Sequence, residues 1–504
     1  MSFVKFQNCI LENADENSVQ ISGNVVPTTT NTYSLGSQNQ SWNSLNIGPW
    51  TIASRNAGTL DRTFGDNGTV SADFSMNSAS IATSVVVDNC NNIIVGGFDI
   101  ANNSIYAFAK YTNSGILDTT FGNNGIVFTD LSNNNNYGEF NIFLYTSFKI
   151  NAIDSNNNII LSGYVGTIDL SASIFVSRYL PNGQIDTTFG QNGITFANFS
   201  GNDGSEEYSV IVDQQDNIIV VGRDYDISNN IYYYGLARFL PSGILDVNFG
   251  NEGTIISNFS ENDYSAAISV AIDKNNNIVI AGIANNSAAL ARYLPTGILD
   301  LSFGVQGTVI TDFSGNNSST AISLAIDESN NIVVAGTVAA GYLDAAYVVT
   351  RYLSTGSLDI SFGTQGTGIV VTTFNLNDYY AQANSITIDQ HNNIIVAGFN
   401  INNSNTSFVN YTLAKYLPNG TLDNTFGDSG VVVTVFSQNN NNSLHIANSV
   451  AIDQNNNIIV SGFYFDYYFS INYALAKYFN NTDLIAQLNG SGVTYSILGP
   501  LINN

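Results

Sequence analysis

A nine-residue motif, L-D-x-x-F-G-x-x-G, recurs down the chain and limits its fold more than any other feature. It reads LDRTFGDNG from Leu60, LDTTFGNNG from Leu117, IDTTFGQNG from Ile185, LDVNFGNEG from Leu245, LDLSFGVQG from Leu299, LDISFGTQG from Leu358 and LDNTFGDSG from Leu422. A decayed eighth copy, LIAQLNGSG, starts at Leu484, and seven copies of a second motif, such as SVAIDKNNNIVIAG ending at Gly282, lie between the first seven and the last. Units of 54 to 68 residues are arrayed supersecondary structures.

Each unit predicts four short strands. In the unit of Gly282 strand a covers Ser269 to Asp273, b Ile278 to Gly282, c Ala289 to Leu294 and d Thr308 to Phe313. These runs are rich in Val, Ile, Tyr and Phe and are bounded by Gly, Asn and Pro. No stretch of 11 or more residues has helical periodicity. Seven four-stranded units that cannot each bury both faces alone predict an all-β chain. Its architecture is a seven-bladed β-propeller with strand a lining a narrow central channel.

Nine residues separate the strand a Asp from the strand b Gly in every copy, and eight separate the strand c base from the next motif Asp. The b–c interval varies from 10 to 17 residues and the d–a interval from 20 to 29. In an up-and-down blade these two variable loops share one face, which is the candidate for function.

The units resemble the delta-60 repeats of bacterial and giant-virus proteins, relatives of NHL-type propellers, over about residues 58 to 492. The resemblance implies blades and is silent on any reaction. The segment ISGNVVPTTTNTYSLGSQNQSWNSLNIG is similar to an N-T-Y-x-L-G-S…W stretch of phage tail-fibre and giant-virus surface proteins, through Pro27, Asn31, Thr32, Tyr33, Leu35, Gly36, Ser37 and Trp42. Residues 1–47 therefore read as a small β or irregular assembly module and 48–504 as the propeller. So short a module cannot enclose Tyr33, Leu35 and Trp42 in its own core, which makes them candidate assembly residues.

Thirty-nine acids against 13 bases give a net charge of -26, which would repel nucleic acid and anionic membranes. No run of 18 apolar residues occurs, and MSFVKFQNCILENADENSVQ contains no sustained apolar stretch of a secretion signal. Two cysteines, Cys9 and Cys90, and two histidines, His391 and His445, are too few for a disulfide framework or a histidine-rich metal cluster, so no cofactor is expected.

Seven of the 13 bases fall at one strand c position: Lys110, Arg178, Arg238, Arg292, Arg351, Lys415 and Lys477. The motif aspartates Asp61, Asp118, Asp186, Asp246, Asp300, Asp359 and Asp423 keep step with them. A catalytic pair is needed once, so sevenfold repetition predicts structural ion pairs within the blades. The a–b turns, such as DSNNN from Asp154, resemble the start of a calcium loop but have Ile where that loop needs Gly and no bidentate Glu, so they read as hairpin turns. Both histidines read as surface groups without a neighbouring nucleophile.

The b–c loops place aromatic and acidic residues together: Tyr225, Asp226, Tyr232, Tyr233, Tyr234, Tyr464, Phe465, Asp466, Tyr467 and Tyr468. They form a candidate ligand or partner face, against the alternative that they pack between loops. The reading is a non-enzymatic structural protein of a virion surface, with itself and other surface proteins as partners. A glycan-binding lectin is the alternative, followed by a propeller hydrolase or lyase.

Eight d-type segments accompany seven a-b-c sets. The strand after Gly68, about Thr69 to Phe74, is expected to complete the blade built from 447 to 478, with Asp61 beside Lys477, which would make Asp61→Ala costlier than Asp186→Ala. The strand after Gly492 should lie outside that blade or on its rim.

Overall fold

The computed structural model describes residues 10–15, 18–22, 36–37, 40–41, 44–47, 50–75, 79–100, 105–129, 151–166, 172–200, 204–226, 228–258, 265–313, 319–339, 345–363, 366–374, 378–402, 408–436, 444–465, 471–488 and 494–498. Two compact units emerge, one of Met1–Arg55 with Asp483–Asn504 and the other of Asn56–Thr482. The division thus falls at 55/56 and 482/483, whereas the sequence reading put it at 47/48 and gave the C-terminus to the propeller.

The unit of 56–482 is a β-propeller. Its described residues form seven four-stranded antiparallel blades, and the blades of 319–372 and 378–434 are joined through the single parallel bridge Ala345–Tyr380. In the fourth blade strand a is Ser265–Ile272, b Ile278–Ala284, c Ser287–Tyr293 and d Thr308–Thr311. Strands b and c are almost wholly buried, which explains their near-continuous apolar runs. Strand d is half-exposed along the outer edge.

The core lies between blades. One cluster joins Val221, Tyr234 and Phe249 of the third blade to Val270, Ile280 and Tyr293 of the fourth. The strand c tyrosines also bond across the seams: Tyr293 Oη lies 2.7 Å from Ser257 Oγ, Tyr352 Oη 2.7 Å from Thr311 Oγ1 and Tyr478 Oη 2.7 Å from Thr434 Oγ1.

The seventh blade contains both ends of this unit. Its strands a to c are His445–Ile452, Ile458–Phe465 and Ile471–Tyr478, and its fourth is Thr69–Ala72, with Leu475 opposite Val70. Its c–d turn is split: Phe479 arrives from one end and Gly58 from the other, joined by Gly58 N–H to Phe479 O at 2.7 Å and Phe479 N–H to Thr59 O at 3.0 Å. Phe64 and Phe74 pack with Tyr473 and Leu475 and with Ala82 and Val95 of the first blade. Gly58 has φ +80°, and a Cβ there would lie 2.4 Å from Gly427 N. Gly58→Ala is expected to cost about 2–4 kcal/mol, read as a lower denaturant midpoint.

In the other unit, Ser44–Ile47, Trp50–Arg55, Asp483–Leu488 and Thr494–Leu498 form one four-stranded sheet, in which Asp483–Leu488 lies between the last and Trp50–Arg55. The strand after Gly492 is therefore no part of the seventh blade. Tyr33, Leu35 and Trp42 lie outside the described residues.

Candidate functional site

The a–b turns build an inner ring. In Asp273 the carboxylate accepts Asn275 N–H and Asn277 N–H on Oδ1, both at 2.8 Å, and Asn277 Nδ2 on Oδ2 at 2.9 Å. Asn276 takes φ +62°, a conformation asparagine tolerates. The D-x-N-x-N spacing is thus that of a self-capped turn, in which the aspartate's lone pairs serve the backbone. Each turn then donates to the next: Asn89 N–H to Asn157 Oδ1, Ser155 N–H to Asp216 Oδ1, Gln214 N–H to Asn276 Oδ1 and Lys274 N–H to Asn330 Oδ1. Glu328, Gln390 and Gln454 continue to Asn392, Asn456 and Asn91, so the circuit closes after seven steps.

The strand c bases build an outer ring on the same turn-bearing face. Arg178, Arg238, Arg292 and Arg351 hold Asp186, Asp246, Asp300 and Asp359 at 2.6–2.7 Å, and Lys415 holds Asp423 at 3.2 Å. Each base also stacks on its own blade's motif phenylalanine; Arg238 stands 4.4 Å from the Phe249 ring centroid. The sequence reading confined these pairs to single blades, but each cation also donates to a carbonyl of the next blade's c–d turn. Arg178 reaches Pro241, Arg238 Pro295, Arg292 Ser354 and Arg351 Pro418. Lys110 reaches Pro181 O at 3.2 Å, Lys415 Asn480 O at 2.7 Å and Lys477 Asn113 O at 3.1 Å. The set is a sevenfold clamp between blades.

Two pairings depart from expectation. Lys110 lies 3.5 Å from Asp88 and Lys477 3.0 Å from Asp453, the strand a aspartates, instead of Asp118 and Asp61. A guanidinium fork can bond its own aspartate and the next turn together, whereas one ammonium group settles where the acid is nearest. In the sixth blade Asn480 Nδ2 already occupies Asp389 Oδ2 at 2.8 Å, leaving Lys415 to Asp423. Asp61 instead caps its own turn, accepting Thr63 N–H at 3.1 Å and Thr63 Oγ1 at 2.6 Å.

Strand a residues of all seven blades, among them Val85, Ile153, Ile211, Ile268, Ser323, Ile386 and Val450, enclose an axial cavity of about 410 Å³. Its described lining holds only apolar, hydroxyl and amide side chains.

On the variable face the third blade stands out. Arg223 donates from Nε and Nη2 to the two oxygens of Glu206, each at 2.9 Å, and lies 4.8 Å from the Tyr232 centroid and 5.8 Å from that of Tyr208. Tyr225 stacks on Tyr232 at 4.5 Å and donates to Asn230 Oδ1. Tyr234 is fully buried, Tyr233 is half-buried, and Asp226 accepts the turn amides of Ser228 and Asn229 together with the Asn229 side-chain amide, whose bonds hold its carboxyl below the usual range. Tyr225, Tyr232 and Tyr234 thus pack within the blade. In the seventh blade Tyr464 bonds Ser71 and stacks at 5.8 Å on both Phe436 and His445, and Phe465 packs edge-on to Phe463. Asp466, Tyr467 and Tyr468 lie outside the described residues.

The sequence reading missed the acids beneath this face. Glu207 is buried, accepts Ser162 Oγ at 2.8 Å, and has its carboxyl pushed up to about 8 mainly by burial, against the opposing effect of that bond. The equivalent position is alanine in five other blades (Ala82, Ala267, Ala321, Ala383 and Ala447), a signal that aligning the repeats residue by residue reveals. His445 is also a correction: it lies buried at the start of a strand, and burial holds its imidazole down to about 4. His391 is exposed in its turn, and Cys90 is an exposed free thiol.

A family model described as a domain of unknown function (DUF5122), beta-propeller, matches residues 155–189 and 274–303. Comparison with curated proteins gives no match. Among solved structures, the chain is similar to a protein of unknown function from Dyadobacter fermentans at 10% identity and TM-score 0.38, covering 82% of this chain and 97% of that one. It is similar to a gluconolactonase from Xanthomonas campestris at 9% and 0.33, covering 68% and 91%, and to an endo-arabinase from Bacteroides thetaiotaomicron at 9% and 0.33, covering 58% and 100%. Likeness at this level carries no argument about activity.

Proposed function

We propose that the chain is a non-enzymatic structural protein that displays its propeller on a virion exterior, as part of an outer layer or fibril built with itself and other surface proteins. The observation supporting this reading is where its charge is placed: seven of 13 bases serve one repeated clamp between blades. That investment makes a rigid ring, and the resemblance of the N-terminal segment to fibre and surface proteins supplies the setting. The glycan-binding alternative draws less support, because the Tyr232 ring is already engaged by Tyr225 and Arg223. Antibodies against the propeller are expected to label intact particles, and a sugar array probed with the full chain is expected to stay blank. Label confined to disrupted particles would overturn the virion-exterior reading, and saturable binding of one sugar class would favour the lectin.

A further inference from the structure

The clamped face is not equivalent all the way round. At the turn position after the c–d glycine, the third and fourth blades carry Ile244 and Ile298, exposed by 62% and 63%, while the first blade's Ile116, exposed by 65%, stands at the same place with the polar Thr119 and Asn123 at the other two. Directly after the motif aspartate come Val247, Leu301 and Ile360, exposed by 66%, 69% and 68%, and after the fourth blade's Phe-Gly comes Val305 at 78%. The second blade has Gln184, Thr187 and Gln191 at these places, and the sixth Thr421, Asn424 and Asp428. Neighbouring turns in the apolar sector are bound together, Gly250 N–H to Thr296 O at 3.0 Å and Gly304 N–H to Thr355 O at 2.8 Å, so the six side chains follow one another round the rim.

We infer that this sector, on the third to fifth blades, is a contact surface for a second copy of the same chain. Two considerations select that occupant. Copies carrying -26 repel wherever acids are unpaired, and here Asp246, Asp300 and Asp359 are each neutralised by an arginine, which leaves Glu252 as the one acid outside an ion pair among the described residues of these turns. The area also suits: six large side chains about two-thirds exposed present on the order of 700 Å², near the ~800 Å² each partner gives to a standard interface. An apolar patch of this size on a soluble surface marks an interaction site, and an uncharged one is self-complementary across a two-fold axis.

The inference rests on the assembly reading above and names the surface through which assembly occurs. Its test compares the full chain with the triple variant Ile298→Gln, Leu301→Thr, Val305→Gln, which gives the fourth blade the second blade's residues. The turn geometry tolerates them, since Gln191 N–H to Ile194 O and Val305 N–H to Thr308 O are both 2.8 Å. Light scattering over a concentration series should show self-association of the wild type and a dissociation constant raised at least tenfold in the variant, with an unchanged unfolding midpoint. Undiminished association of the variant would overturn this sector and leave the assembly reading standing. A wild type that stays monomeric up to about 100 µM would overturn both. Should the triple variant misfold, Leu301→Thr alone decides, with a several-fold loss expected.

Discussion

Replacing Asp453 by alanine is expected to cost about 3–5 kcal/mol, the largest loss among the ring's aspartates. Its side chain is completely buried and does two jobs. Oδ1 accepts Asn455 N–H at 2.9 Å and Asn457 N–H at 2.8 Å, while Oδ2 takes Asn457 Nδ2 at 3.0 Å and the Lys477 ammonium at 3.0 Å. Without it Lys477 would be left buried beside the seam where the two ends of the propeller meet. Asp186→Ala, which strips the fork of Arg178, should cost about 2–3 kcal/mol, and Asp61→Ala, which removes a turn cap, about 1 kcal/mol. This reverses the order expected from sequence, since Asp61 is not the partner of Lys477. Denaturant midpoints of the three variants check it, and an Asp61→Ala loss exceeding that of Asp453→Ala would contradict the pairing.

Glu207 should make the protein lose stability as pH rises from about 4.5 to about 8. The unfolded carboxyl ionises near 4.5, whereas the folded one holds its proton to about 8. Between those values the native state binds a proton that the unfolded state has released, so stability falls as pH rises and levels off above 8. At about 1.4 kcal/mol per pH unit the window amounts to several kcal/mol. Glu207→Gln keeps the shape and the Ser162 bond without ionising. The variant's unfolding free energy is expected to stay flatter than the wild type's from pH 5 to 8 and to exceed it at pH 8. Parallel pH profiles would show that Glu207 is ionised in the native state.

The blades, their number and the fourth strand of the seventh were legible because repetition multiplies a weak strand signal sevenfold. The inter-blade half of the clamp was not, because spacing within a repeat says nothing about which carbonyl lies beside the next blade. The split turn was written in the chain, since Gly58-Thr59-Leu60-Asp61 repeats Gly420-Thr421-Leu422-Asp423, but the parallel gains its meaning only once Phe479 is known to meet Gly58. The acids of the third blade were hidden for another reason. Glu206 and Glu207 adjoin in sequence, yet strand alternation and the bulge between Glu207 and Ser209 send one to Arg223 and the other to Ser162.

Cryo-electron microscopy of the purified full chain tests the central claim most directly, because it images both the ring and its assembly. The expected result is a seven-bladed ring whose seventh blade takes Thr69–Ala72 as its outer strand, in particles that associate through the rim of the third to fifth blades. Six or eight blades, or rings that stay solitary at every concentration, would contradict it.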